Sequence, residues 1–128
     1  MIHLDANVLV ALPDWAVERH PLLNRVARGE AAAVCSLAWY EYSIGPVDED
    51  ERLAVREFIR DNIVAFDDAD AALAAHLYNA VGRKRALKTD ACLAACAIRA
   101  DADFLTLNVD DFRPFSAHGL RLLEVSRR

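Results

Sequence analysis

The chain has 128 residues, 55% of them hydrophobic and 27% charged, with a formal net charge of −5. That length suits one domain with a real core and excludes two, and the composition excludes a disordered chain. No apolar run reaches the roughly 18 residues that span a bilayer, the N-terminus lacks the basic and long apolar regions of a signal peptide, and the acidic total argues against nonspecific nucleic-acid binding by the bulk surface. A soluble cytoplasmic protein is expected. The three cysteines, Cys35, Cys92 and Cys96, fit that compartment, because an odd count without secretion gives no disulfide framework.

In chain order, the apolar opening runs into Asp5 and reads as a central strand of a buried parallel sheet. Asp5 then sits at the strand's carboxyl end, where open α/β sheets hold their ligands. Asp5 is placed to cap a short helix over Ala6–Leu12 that Pro13 ends. Asp14–Arg28 reads as a second helix with a break or kink at Pro21, stopped by Gly29. Ala31–Cys35 is the second strand, and Ser36 the expected N-cap of a helix over Leu37–Ile44, which Gly45-Pro46 ends. Asp48–Asn62 is an amphipathic helix offering Leu53, Val55, Phe58 and Ile59 to the core, with an acidic first turn suited to the helix dipole. Ile63–Phe66 is a third strand. Asp67 or Asp68 opens a helix through Val81 that Gly82 closes. Thr89 or Asp90 caps an alanine-rich helix over Ala91–Ala100. Phe104–Leu107 and Arg121–Val125 are the last two strands. Alternation of strand and helix predicts an α/β fold with a mostly parallel central sheet flanked by helices, as one domain over residues 1–128.

Three acids stand out by position. Asp5 ends the first strand, Glu41 lies among uncharged residues in the helix after the second strand, and Asp90 opens the helix after a basic stretch. Singly, Asp5 and Asp90 read as N-caps worth ~1 kcal/mol each, and Glu41 as a surface residue. Together with their surroundings they form a pattern. Leu4-Asp5-Ala6-Asn7-Val8-Leu9, Ser36 with Glu41, Thr89-Asp90-Ala91-Cys92-Leu93-Ala94-Ala95-Cys96-Ala97 and Phe104-Leu105-Thr106-Leu107-Asn108-Val109-Asp110-Asp111-Phe112 occur in that order over nearly the whole chain. In this the chain resembles PIN domains, in particular the small stand-alone VapC-type toxins of bacterial toxin–antitoxin pairs.

The resemblance implies a PIN-like nuclease domain: a divalent-metal-dependent endoribonuclease using Mg²⁺ or Mn²⁺, with an RNA substrate, a cognate antitoxin, and a homodimeric state. It carries the family's metal-binding and catalytic acids onto Asp5, Glu41 and Asp90. The chemistry agrees, since hard divalent cations take oxygen ligands and Mg²⁺ keeps several waters. A bound cation lowers the pKa of a water for in-line attack on phosphorus and shields the phosphate charge. One departure is plain. The family's fourth acid falls two residues after the threonine of the last motif, and here that place holds Asn108, leaving Asp110 or Asp111 to reach in.

Other residues are weighed more briefly. Thr106 either orients a ligand or water at the strand end or is an ordinary β-branched strand residue. Asn7 either hydrogen-bonds Asp5 or serves the turn backbone. Arg83, Lys84, Arg85 and Lys88 precede Asp90 and can meet RNA phosphates, with salt-dependent affinity, or form a solvated loop. Cys92 and Cys96 lack two further zinc ligands and read as packing residues. His3, His20, His76 and His118 form no spaced cluster, and Trp15, Trp39 and Tyr40 read as core or interface residues. Three competing readings remain. One is a catalytically degenerate PIN domain acting as a protein- or RNA-binding module. The others are a haloacid-dehalogenase-like phosphatase, which would want a second acid in place of Asn7, and a receiver-type domain, which would want an acid pair after the first strand.

Overall fold

The structure is a computed structural model, and it describes residues 1–124. Five strands, β1 (Ile2–Leu4), β2 (Ala32–Cys35), β3 (Ile63–Val64), β4 (Asp103–Leu105) and β5 (Arg121–Leu122), form one sheet in the order β3-β2-β1-β4-β5. Every pairing is parallel. The expectation of a central first strand holds, because all three β1 residues are apolar or uncharged and fully covered, as a strand flanked on both edges and both faces must be.

Among the described residues seven α-helices connect and cover the sheet: α1 (Ala6–Glu18), α2 (Pro21–Ala27), α3 (Ser36–Ser43), α4 (Glu49–Phe58), α5 (Asp68–Ala80), α6 (Lys88–Arg99) and α7 (Val109–Ser116). The α6 helix buries Ala91, Leu93, Ala94, Ala95, Cys96 and Ala97. Its alanines let its axis approach the sheet and α5 closely, since small side chains shorten interhelical distance. A capping box starts α5, with Asp67 accepting from the Asp70 amide and Asp70 accepting from the Asp67 amide. Asp70, almost wholly buried, also pairs with Arg99 at 2.8 Å.

Several element boundaries differ from expectation. Pro13 does not end the first helix: α1 continues through it to Glu18, with the proline ring on the exposed side. The true break is at Arg19, in the left-handed region at φ 56°, followed by His20 as N-cap with Pro21 at the first helical position. His20 Nδ1 accepts from the Leu22 amide, and its ring stacks on Trp15 at 3.7 Å. Ser36 is not the cap of α3. It is the first helical residue, and its hydroxyl accepts from the Phe66 amide at 3.1 Å, anchoring the exit of β3. The α4 helix stops at Phe58, and Leu53 is exposed, whereas Val55 and Ile59 are buried. The alanine-rich helix starts earlier than expected, with Leu87 in the cap position, so Asp90 stands inside the first turn and not at the cap. The α7 helix was not anticipated; it seats Phe112 and Phe115 in the core, with Phe112 against Phe104 at 4.6 Å. The fifth strand is confined to Arg121–Leu122, and Val125, expected in it, lies outside the described residues.

His3 on β1 is 1% exposed, and among the described residues neither ring nitrogen has a hydrogen-bond partner. Burial pushes its pKa down to about 4, against a weaker upward pull from Asp70. The unfolded chain therefore takes up a proton near pH 6.5 that the fold refuses, and stability is lost as pH falls from there toward about 4. In urea denaturation across that range, His3→Leu is expected to remove up to about 3 kcal/mol of this acid-side loss. An unchanged pH slope would mean that His3 is not held neutral.

Candidate functional site

Asp5 follows β1 directly, and the parallel register brings Cys35 and Thr106 alongside it at the carboxyl ends of β2 and β4. Its side chain is 7% exposed, and a carboxylate so covered must be hydrogen-bonded. Oδ1 accepts from the Ala6 amide at 2.8 Å, capping α1 as expected. Oδ2 accepts from the Thr106 hydroxyl at 2.7 Å and from Asn7 Nδ2 at 3.4 Å. Thr106 Oγ1 in turn accepts from the Asn108 amide at 3.0 Å. Asn7 Oδ1 accepts from the Leu107 amide at 3.1 Å, tying the start of α1 to the end of β4. Thr106 and Asn7 thus act on Asp5 and on the turn at the same time.

Asp5, Glu41 and Asp90 share one cleft of about 350 Å³ with Asn7, Asn108, Glu51 and the 45–47 turn. Its walls contain no Lys, Arg or His. The electrostatic consequence is visible in all three acids. Burial raises the Asp5 carboxyl above its usual range, partly offset by the bonds from Thr106 and Ala6. Burial followed by the charge of Asp5 raises Glu41. Asp90 is pushed to about 6 by burial and then by Asp5, Asp111 and Glu41. Among the described residues, no group of three His, Cys, Asp or Glu side chains is gathered tightly enough to hold a metal ion by itself. The donor set is nevertheless all oxygen and carries uncompensated negative charge. That fits a hydrated hard cation held through one or two carboxylates with water completing its shell, as Mg²⁺ prefers, and not a closed protein cage.

The last motif resolves into separate roles. Asn108 lines the cleft and occupies the cap position of α7 without a side-chain capping bond. Asp110 turns to Arg113 at 3.0 Å, whereas the charge of Asp111 is felt at both Asp5 and Asp90. Asp111, on α7, is thus near enough for its charge to bear on Asp5 and Asp90, but it lines an adjoining surface with Asn108 and Asp110 and not the cleft itself. The basic residues are not part of the cleft wall. Arg83, Lys84, Arg85 and Lys88 are exposed on the segment leading into α6. Arg83, at φ 59°, lies over Tyr78 at 5.5 Å, and the Tyr78 hydroxyl donates to the Arg83 carbonyl. Glu51, on α4, was not anticipated at the cleft; its only sequence signal was membership of an acidic first turn.

A family pattern described as PIN domain matches residues 2–116. The chain belongs to the PIN domain family. The fold is similar to that of several solved structures. One, a toxin–antitoxin complex from Klebsiella pneumoniae, is 20% identical with a TM-score of 0.66, over 88% of this chain and 91% of that one. VapBC2 from Rickettsia felis, bound to a DNA fragment from its promoter, is 19% identical with a TM-score of 0.70, over 98% and 100% of the two chains. FitAcB from Neisseria gonorrhoeae is 16% identical with a TM-score of 0.65, over 96% and 97%. No curated protein sequence matches the chain.

Two substitutions test this electrostatic picture of the PIN domain without any substrate. Thr106→Val removes a hydroxyl from a buried carboxylate and is expected to cost about 2 kcal/mol in urea denaturation at pH 7. Because the Asp90 pKa is raised on folding, its ionisation opposes the fold, and stability falls as pH rises from about 4 toward 6. In metal-free buffer at pH 7, Asp90→Asn is expected to stabilise by about 1 kcal/mol after solvent screening, with the gain vanishing near pH 3.5. A loss of stability at pH 7 would refute carboxylate repulsion in the cleft.

Proposed function

We propose that this PIN domain is a divalent-metal-dependent endoribonuclease, the toxin of a type II toxin–antitoxin pair. The observation that carries the reading is the cleft of Asp5, Glu41 and Asp90, with Asp111 nearby and no cation among its walls. A polyanionic substrate meets such a cleft only if a cation stands between them. When bound, Mg²⁺ or Mn²⁺ supplies an acidified water and neutralises charge on the scissile phosphate. Asp90 and Glu41, the less constrained acids, offer oxygens to the ion. Asp5, held by Thr106 and Ala6, fixes the position of the pocket floor. Asn108 contributes an uncharged amide at the place where the resemblance implies an acid, and Asp111 adds a negative charge nearby. Arg83, Lys84, Arg85 and Lys88 hold RNA phosphates beside the cleft.

The partner reading rests on the similar structure from Klebsiella pneumoniae, a toxin–antitoxin complex, and on an apolar groove of about 410 Å³. Leu12, Pro13, Ala16, Leu23, Val55 and Phe58 line the groove, between α1, α2 and α4. Such an apolar surface suits a protein partner. Homodimerisation and a cytoplasmic location belong to the same reading; among the described residues no helix is long and apolar enough to cross a membrane. A second reading, a non-catalytic binding module, is favoured by one fact: both Asp5 oxygens are already engaged within the protein.

Thermal unfolding titrated with Mn²⁺ and Mg²⁺ separates the two. At ~100-fold above the dissociation constant, bound metal stabilises by about 2.7 kcal/mol, and Asp90→Asn is expected to abolish that rise. No saturable rise in the wild type would leave the binding module standing. Cleavage of a labelled RNA pool in Mn²⁺ is expected to be lost in Asp5→Asn and Asp90→Asn. Replacing Arg83, Lys84 and Arg85 together by Ala is expected to flatten the salt dependence of RNA binding. An unchanged slope would remove those residues from the RNA surface.

A further inference from the structure

Tyr42 combines a core position with a place on the cleft wall. It follows Glu41 on α3, its ring packs against Trp39 with centroids 5.4 Å apart, and the residue is only 3% exposed. It nevertheless lines the acidic cleft, together with Glu51 from the first turn of α4. Among the described residues its hydroxyl makes no hydrogen bond, yet that oxygen is not one of the partnerless polar atoms sealed from solvent. The small accessible part of Tyr42 therefore includes the hydroxyl, and the opening it borders is the cleft. A buried ring with a wet, uncommitted tip is a hydrogen-bonding group held in place before any ligand arrives.

The other polar groups of the cleft wall are engaged, distant along the fold or able only to accept. Asn7 donates to Asp5 and Thr106 and accepts from the Leu107 amide. Asn108 belongs to the turn between β4 and α7. Asp5, Glu41, Asp90 and Glu51 are acceptors when ionised. Glu51 makes no ion pair among the described residues, and its backbone amide is held by the Asp48 carboxylate at 2.8 Å. Tyr42 thus offers a neutral donor on the wall that Glu51 supplies with an acceptor. Burial, and then the charge of Glu51, raises the phenol above its usual range, so it stays protonated.

A donor and an acceptor on one wall select a group that is both. A phosphate brings acceptors and negative charge, which Glu51 repels. A sugar hydroxyl gives its proton to a carboxylate and takes a hydrogen bond from a phenol. Among the neutral hydrogen-bonding groups of a nucleotide, the 2′-hydroxyl lies nearest the 3′ phosphorus. Tyr42, in turn, is next in the chain to Glu41, one of the acids that offer oxygens to the cation. We propose that Tyr42 and Glu51 form a subsite for a ribose 2′-hydroxyl of the substrate, the Tyr42 hydroxyl donating and the Glu51 carboxylate accepting. The cleft thereby tells RNA from DNA without reading a base. This rests on the nuclease reading of the cleft and adds to it the two residues that choose the sugar.

The test compares affinities for short RNA and DNA strands of equal length and random sequence, end-labelled and read by fluorescence anisotropy with Ca²⁺ as the cation. The wild type is expected to hold RNA about tenfold more tightly than DNA, the worth of one well-made hydrogen bond. Tyr42→Phe, which keeps the packed ring, is expected to abolish the preference by weakening RNA alone. Glu51→Ala, at an exposed position, is expected to lower the same RNA-to-DNA ratio, whatever the loss of its charge does to both strands alike. Equal affinity of the wild type for the two strands, binding of neither, or an unchanged ratio in either variant would overturn the proposal. So would a loss in Tyr42→Phe that falls equally on RNA and DNA, which is the sign of a phosphate or base contact. The metal reading is checked apart from this: the saturable rise in melting temperature with Mn²⁺ is expected in Tyr42→Phe as in the wild type, and its absence from both would count against the cation and not against the choice of sugar.

Discussion

One buried carboxylate organises the structure. Asp5 sits at the end of the central strand, and its cover requires donors that no single element can supply. Ala6 gives one from α1, Thr106 gives another from beyond β4, and Asn7 joins the two by accepting from Leu107. A buried acid stripped of those donors would face a desolvation cost far above the worth of any one hydrogen bond. The register between β1 and β4 is thereby fixed by polar chemistry at its carboxyl end as well as by apolar packing along its length.

The cleft built on that acid works against the stability of its own fold. Glu41 and Asp90 arrive from different helices, Asp5 raises the cost of ionising both and Glu41 adds to that of Asp90, and no cationic side chain of the cleft wall relieves it. Proteins carry such local conflicts where a ligand is expected to resolve them. The conflict is also confined. Asp70 and Asp67 are paired with Arg99, Asp101 and Asp103 with Arg121, and Glu30 with Arg25. Elsewhere on the sheet the acids have partners; around the cleft they do not.

Much of this could be read from sequence, and the parts that could not have identifiable causes. Alternation of apolar runs with helical segments gave the parallel sheet, because a parallel strand needs a crossover. Asp5 was legible because a lone acid after an apolar strand has few innocent explanations. Pro13 misled, since propensity cannot tell whether a proline faces water or core. Ser36 misled because its hydroxyl serves a strand distant in sequence, and capping rules are local. The α7 helix was missed because it is short and amphipathic only through Phe112 and Phe115. With it went the distinction between Asp110, paired with Arg113, and Asp111, whose charge bears on Asp5 and Asp90.

The bond from Thr106 to Asp5 closes a separation of 101 residues, and this sets an order of events during synthesis. Loop closure over such a span is among the last contacts a chain can make. A ribosome-bound chain holds its first strand from the start, yet the pocket floor cannot form until β4 and the turn after it have emerged. Until then Asp5 has no hydroxyl to accept from and no fixed position, so a partly made chain carries the acids without the site. Any fragment ending before Thr106 shares that condition, whatever fraction of the sheet it retains.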